Sequence, residues 1–335
     1  DSLGSRGLGD VYKRQTYYDN IIEGILLDVS LSPSTGFSTQ YGNYGEMTNN
    51  GVEVDLGLDL IDEQDFSLST AINWSTNENE VTDLYGTESI NLSPGASVSS
   101  RAVVGYPLGA LYGTGSKTNA DGSFDLNSNG FPQITSSPIV LGDPNPDWRG
   151  GISLSMRYKK LRLNAVLEHS EGGSFSPRTL WVLRRFGTTQ EVSNRITLNQ
   201  DLVNYAGNTI PSGTTVRGNV HDFGGGPVLL DESWYRTGIG GGFGDNQAYN
   251  FSIADATWTK LRDLSLSYVI DTPAVKNLGL SDVILTFSGR DLININEVDG
   301  IDPEINTKGV SVAQGVEYFT NPQTKGFLFS LTINY

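Results

Sequence analysis

Cysteine is absent from this 335-residue chain, and histidine occurs only at His169 and His221. Without thiols there are no disulfides, zinc–thiolate sites or cysteine nucleophiles. The two histidines are not spaced as metal ligands are. Positive charge is also scarce, because 22 Lys and Arg against 38 Asp and Glu give a formal net charge of −16. This balance argues against nucleic acid as a partner, since phosphate neutralisation needs clustered basic side chains.

Long apolar runs are missing too: no stretch of eighteen apolar residues exists, so no transmembrane helix is predicted. The chain has neither a phosphate-binding loop nor a nucleophile elbow. The many carboxylates leave an acid pair for glycoside hydrolysis open. Acidic residues scattered in loops are usually solvated, so we expect that the protein is not an enzyme.

What the chain has is glycine, aromatic residues and alternation. It contains 40 Gly, 15 Tyr and 13 Phe, which suits an all-β protein with many turns. Residues 327–335 alternate without a break, with Phe327, Phe329, Leu331, Ile333 and Tyr335 on one side. A strand shows its two faces with period two. This segment therefore predicts a strand with one apolar face. An ordinary half-buried strand and the closing strand of an outer-membrane barrel both fit it.

Three further pairs of alternating segments predict β-hairpins, with turns at residues 62–65, 159–160 and 271–273. Long Gly-, Asn- and Ser-rich stretches separate them, roughly 77–149 and 168–256. Connections in compact domains have a median of about 4–6 residues, whereas outer-membrane barrels have short periplasmic turns and long extracellular loops. We therefore predict an antiparallel transmembrane β-barrel with long extracellular loops. Lys260 and Arg262 share the parity of the lipid-facing Leu264, so we expect them above the membrane.

The first fifteen residues have another origin in our interpretation. Residues 5–15 can be back-translated codon by codon into a transposon-end adapter of sequencing libraries, and residues 1–4 fit the stretch upstream. The alternative is a genuine coil with a chance match. We predict that 1–15 are adapter-derived and non-native. The reading frame is then truncated before Thr16, and the lack of a signal peptide says nothing about localisation.

Candidate ligand-binding residues lie in the long loops. Trp181, Trp234 and Tyr235 could stack on sugars, because an aromatic ring offers an apolar face with a polar rim. Packing within a loop core, or contact with a lid, is the alternative for the same rings.

Residues 125–130 match the start of a calcium loop, with Asp125, Asn127 and Asn129 as candidate ligands. Ser136 stands where the bidentate Glu is expected, so an Asx-rich turn is the alternative. No other cofactor is expected.

Six segments together resemble the C-terminal half of the SusC/RagA family of TonB-dependent outer-membrane transporters. Their order and spacing hold from Thr16 to Tyr335, although each alone is a loop or turn pattern. Asn50 and Asp291 depart from the family's usual basic residue and Asn. The segments are 49–54 (NNGVEV), 104–113 (VGYPLGALYG), 141–148 (LGDPNPDW), 260–268 (KLRDLSLSY), 289–292 (GRDL) and 300–304 (GIDPE).

The resemblance implies that residues 16–335 are the C-terminal part of a 22-stranded barrel in the outer membrane of a Gram-negative bacterium. It implies nutrient import energised by TonB, through a missing N-terminal region, with a SusD-like surface lipoprotein as a lid. It also implies oligosaccharide or peptide substrates and outer-membrane lipid as surroundings. A passive porin or structural barrel is the first alternative. A soluble β-sandwich that acts as a carbohydrate-binding or adhesin module is the second.

Overall fold

The computed structural model describes residues 11–93, 97–241, 247–298, 300–307, 309 and 314–335. The strands of its first half are β1 (Val11–Glu23), β2 (Leu26–Ser30), β3 (Thr39–Asn43), β4 (Glu46–Asp62), β5 (Phe66–Asp83), β6 (Ser89–Ser93), β7 (Ser99–Val103), β8 (Ala110–Gly113), β9 (Ile139–Gly142), β10 (Trp148–Tyr158), β11 (Leu161–Glu171) and β12 (Ser174–Pro177). Those of the second half are β13 (Arg195–Thr197), β14 (Leu202–Val203), β15 (Thr209–Ile210), β16 (Thr215–Arg217), β17 (Asn219–Asp222), β18 (Pro227–Leu230), β19 (Ala254–Asp255), β20 (Trp258–Ile270), β21 (Asp282–Asn296), β22 (Val316–Glu317) and β23 (Gly326–Asn334).

Helices are short. They are α1 (Arg178–Arg185), α2 (Gln190–Ser193) and α3 (Pro273–Asn277), with a π-helical turn at Ser233–Thr237 and 3₁₀ turns at Pro33–Thr35, Ile239–Gly241 and Tyr249–Ser252. Within the described residues, none of the helices has the length and apolar character needed to cross a membrane.

Eight long strands form one antiparallel sheet in the order β1-β4-β5-β10-β11-β20-β21-β23. Each long strand pairs with the next long strand along the chain, and β1 and β23 are the two edge strands. The predicted hairpins are β4–β5, β10–β11 and β20–β21. The expectation of an all-β antiparallel fold is therefore confirmed.

The connections divide by length between the two ends of this sheet. At one end, a short link joins the two strands of each hairpin, and in the third hairpin this link contains α3. Asn334, near the end of β23, pairs with Asp282 at the same end. The long connections 84–147, 172–257 and 297–325 all leave the opposite end. Together with the shorter connection 24–45, they carry the smaller sheets and the buried hydrophobic clusters, so the chain's main core lies among the loops.

One face of the sheet is apolar from strand to strand. The register aligns Leu68, Met156, Leu163, Leu266, Phe287 and Phe329 in one row. The next row is Phe66, Tyr158, Leu161, Tyr268, Leu285 and Leu331. Many of these side chains are exposed, among them Leu266, Phe287, Phe329 and Leu331. An apolar face left uncovered by the chain needs an apolar environment.

The predicted side of the strand is wrong for two basic residues of this sheet. Parity with Leu264 predicts Lys260 and Arg262 on the lipid-facing side, above the membrane. The register of β11 against β20 pairs Val166 with Asp263 but Leu167 with Leu261, so Arg262 is an inserted residue. This β-bulge exchanges the two faces of the strand, and Lys260 turns inward.

The start of the chain adds a second observation on residues 1–15. Residues 1–10 lie outside the described residues, whereas 11–15 extend β1 along β4. Lys13 pairs with Leu56 and Gln15 with Val54, which belong to the apolar face. Backbone pairing accepts any side chain, but a Lys and a Gln break the apolar pattern of this face. The adapter origin stays a prediction, and this misfit agrees with it.

Candidate functional site

The loop end of the sheet brings distant sequence motifs together. The clearest junction joins residues 260–268 of β20 to residues 300–304 of the last long connection. Lys260 is 1% exposed, and its Nζ donates to Asp302 Oδ1 and Oδ2 at 2.8 and 2.7 Å and to Glu304 Oε2 at 2.6 Å. Asn294 Nδ2 donates to Asp302 Oδ2 at 3.1 Å. A lysine is buried at this depth only when it is paired, so this junction fixes the loop on the strand.

Arg262, the inserted residue of the bulge, completes the ion cluster. Its Nε donates to Glu168 at 2.7 Å, and its two Nη atoms donate to the carboxylate of Glu304. Burial alone would raise the pKa of Glu304, but the bonds from Arg262 and Lys260 outweigh burial and lower that pKa to about 2. Glu304 therefore stays ionised at neutral pH.

A second junction contains the motif 141–148, whose residues form a tight turn. Asp143 Oδ1 accepts bonds from the backbone N and side-chain Nδ2 of Asn145 at 2.9 and 2.7 Å, which closes an Asx turn. The turn lies against Gly173, whose φ is +81°. A Cβ on Gly173 would lie 2.9 Å from the backbone oxygen of Asn145, so only glycine fits there.

In the motif 289–292, Asp291 has an unusual backbone conformation. Its φ of +51° lies in the left-handed region, where Asn and Asp are the tolerated non-glycine residues. Its carboxylate is 3.8 Å from Arg262 Nη1. The departure from Asn to Asp at this position therefore keeps the backbone conformation and adds a charge to the ion cluster.

Two of the predicted ligand-binding aromatic residues, Trp234 and Tyr235, lie in the largest loop core. Both are buried. Trp234 is 5.3–5.7 Å, between ring centroids, from the rings of Phe131, Phe223, Tyr205 and Phe251. The Tyr235 hydroxyl donates to Glu191 Oε1 at 3.1 Å and accepts from Asn219 Nδ2 at 3.2 Å. Burial, together with the charge of Glu191, raises the pKa of Tyr235 to about 12.

Trp181, the third aromatic candidate, is 1% exposed and stacks on Tyr249 with centroids 6.0 Å apart. It shares a cluster with Val98 and Leu111 and is not grouped with Trp234 and Tyr235. The three rings occupy the places that loop-core packing predicts. A ligand-stacking role for them stays a prediction.

The calcium candidates form a hydrogen-bonded turn. Asn127 Oδ1 accepts from the backbone N of Asn129 at 2.9 Å and of Phe131 at 3.1 Å, and Asp125 Oδ1 accepts from Gln133 Nε2 at 2.9 Å. These bonds form the Asx-rich turn that is the alternative to a calcium loop. Over the ranges that the structure describes, no group of three or more His, Cys, Asp or Glu is arranged to hold a metal ion. The calcium site stays untested.

A cavity of about 460 Å³ beside α1 was not predicted from the sequence. It is lined by Arg184, Arg185, Arg217 and Arg236, with Phe186 and Tyr235. The available signal was composition, because residues 178–236 hold six of the fourteen arginines. Spacing along the chain could not show that four of them meet.

Comparison with known proteins shows which proteins resemble this chain in sequence and in fold. No family model matches the chain. It is 25% identical to TonB-dependent receptor P3 of Formosa agariphila over 95% of the chain, and 22% identical to receptor P26 of the same organism over 98%. The solved RagAB peptide transporter superposes on 97% of the chain with a TM-score of 0.65 at 18% identity. The chain spans about a third of the length of these relatives. These matches confirm the resemblance inferred from the six motifs.

Proposed function

We propose that this chain, which resembles TonB-dependent receptors in sequence and the RagAB transporter in fold, is the C-terminal wall of an outer-membrane importer. Its eight-stranded sheet would form part of the barrel, and its long connections would form the extracellular mouth. The observation that carries the proposal is the sheet itself. It has one exposed apolar face, and all its long connections leave from one end.

The dimensions of the apolar face support the proposal. On β10, Trp148 and Tyr158 share the outward face and stand ten residues apart. A strand rising about 3.4 Å per residue and tilted by about 40° covers about 26 Å of depth over that distance, close to the 25 Å apolar band of outer-membrane barrels. Trp74 joins the outer ring through its pairing with Gly150, and Tyr268 joins the inner one. Interfacial aromatic rings belong at these two levels.

The whole protein would import oligosaccharides or peptides too large for porins. TonB would supply the energy through a region outside this chain, and a SusD-like lipoprotein would cover the mouth. Of the relatives, RagAB is described as a peptide transporter, which supports peptides as one substrate class. The extensive loop surface offers room for the lipoprotein.

Energised uptake in cells tests this function. The intact gene is deleted from its host and restored with or without an active TonB system, and growth on candidate oligosaccharides and peptides is measured. We expect restoration only when TonB is active. Uptake that continues without TonB would point to a passive porin instead. Extraction of the full-length protein without detergent would point to a soluble carbohydrate-binding module.

Co-purification tests the lid separately. The full-length protein is drawn from native membranes in mild detergent with its loops intact, and we expect a surface lipoprotein to accompany it. A receptor recovered alone would leave TonB-dependent import standing but would remove the lid from the proposal.

A further inference from the structure

We propose that the arginine-lined cavity beside α1 is a binding site for a carboxylate group of an anionic oligomer. The cavity belongs to the connection 172–257, at the loop end of the sheet. It deepens the proposed function, since a site at the mouth of an importer would select the substrate. The anion site itself depends only on the residues that line it.

Charge sets this cavity apart from the rest of the chain. Four arginine residues line it, against Asp231 and Glu232, and Glu191 adds a third carboxylate through its pairing with Arg184. Asp231 Oδ1 is occupied by the backbone N of Ser233 at 2.9 Å, and Glu232 pairs with Arg236 at 2.7 Å. The lining is thus net positive in a chain whose formal net charge is −16. Such a local excess attracts anions to one place on an otherwise acidic protein.

Two of the four guanidinium groups are held in position by bonds that use only some of their donors. Arg184 Nε donates to Glu191 at 2.8 Å, and Arg217 donates through Nε to the Val192 carbonyl at 3.0 Å and through Nη2 to the Gly187 carbonyl. A guanidinium has five N–H donors, so these bonds orient each group and leave it further donors. Arginine in a fixed orientation is suited to bidentate binding of carboxylates and similar oxyanions.

Two aromatic residues complete the lining. The Tyr235 hydroxyl is held in place between Glu191 and Asn219. Phe186, at the C-terminal end of α1, is 74% exposed although it is a large apolar side chain. An exposed ring next to fixed cations offers an apolar surface for the carbon skeleton that carries the anionic group.

Calorimetry on the full-length protein in detergent tests the site with three defined probes. Trigalacturonate carries carboxylates on a sugar, triglutamate carries them on a peptide, and maltotriose is a neutral control. We expect binding of at least one anionic probe, weakened by added salt, and no binding of maltotriose. Binding of both anionic probes means that the site recognises the carboxylate whether a sugar or a peptide carries it. Binding of one probe shows which of the two the site accepts. Binding of neither overturns the site.

Variants locate the binding. A hydrogen bond to a charged group contributes about 1.5–3 kcal/mol, so R185Q/R236Q should weaken the anionic probe by about tenfold or more. R236Q alone, at a side chain that is 64% exposed, guards against loss of folding and should also weaken binding. R290Q removes the same charge from a 73% exposed side chain elsewhere and should have no effect. Unchanged affinity in R236Q and R185Q/R236Q would overturn the proposal, whereas TonB-dependent uptake would be unaffected by that result.

Discussion

At the scale of single residues, Lys260 is a charged side chain that the fold buries almost completely. Its ammonium is nearly inaccessible, and Asp302, its main partner, has a side chain only 5% exposed. Desolvating such a pair costs several kcal/mol per ion, which the mutual attraction and the added hydrogen bonds must offset. The pair is therefore better regarded as a device that fixes position than as a source of stability.

Removing one partner of this pair should be costly. Lys260→Met in the full-length protein leaves Asp302 buried without its cation, and breaking a buried pair in this way typically costs about 3–5 kcal/mol. We expect faster hydrogen exchange in residues 300–307. Lys276→Met, at an exposed lysine of α3, is the matched control. Equal protection in both variants would show that the ion cluster does not hold the loop.

The apolar face allows a second test on one residue. Leu266→Arg places a charge on the outward face, where it costs about 2–4 kcal/mol near the midplane of the bilayer. Ser265→Arg puts the same side chain on the opposite face of β20 and should be tolerated. The heat stability of the assembled full-length protein compares them. Equal losses in the two variants would contradict this orientation of the sheet.

At the scale of elements, the connection between β21 and β23 is tied to the sheet through charge. The pKa of Glu304 is lowered from its usual value to about 2 in the folded protein. Its contribution to stability is therefore complete above the unfolded pKa of about 4.3 and is lost as the pH falls towards 2. The stability difference between the wild type and Glu304→Gln should be constant from pH 7 to pH 5 and should shrink below it. Urea titrations of the full-length protein measure this difference, and a pH-independent one would contradict the ion-pair account.

The same elements show which parts of the fold could be predicted from the sequence. The three hairpins and the placement of the long connections followed from alternation, because the apolar side chains mark one face. The polar end of β5, up to Asp83, carried no such mark. The bulge at Arg262 depends on pairing with β11 and β21, so a single strand does not reveal it. The cavity of arginines depends on the packing of loops, which spacing along the chain does not determine.

At the scale of the whole molecule, the first strand contains the segment whose origin we question. Lys13 occupies the row of Leu56 on the apolar face, where a lysine in a membrane-facing strand is unfavourable. We predict that the natural protein carries other residues before Thr16. Sequencing the locus from unfragmented DNA measures this. Finding the codons for residues 5–15 in the genome would show that the segment is native.

The central claim is that this sheet is a wall of a barrel in the outer membrane. This chain contains no cysteine, so once any cysteine in the rest of the full-length protein is replaced by serine, single cysteines along β23 can be spin-labelled without a background signal. In lipid, labels at 327, 329, 331 and 333 should be accessible to oxygen, and labels at 328, 330 and 332 to a water-soluble nickel complex. This period of two is the result that we predict. Uniform accessibility to the nickel complex, or the two sets reversed, would contradict it.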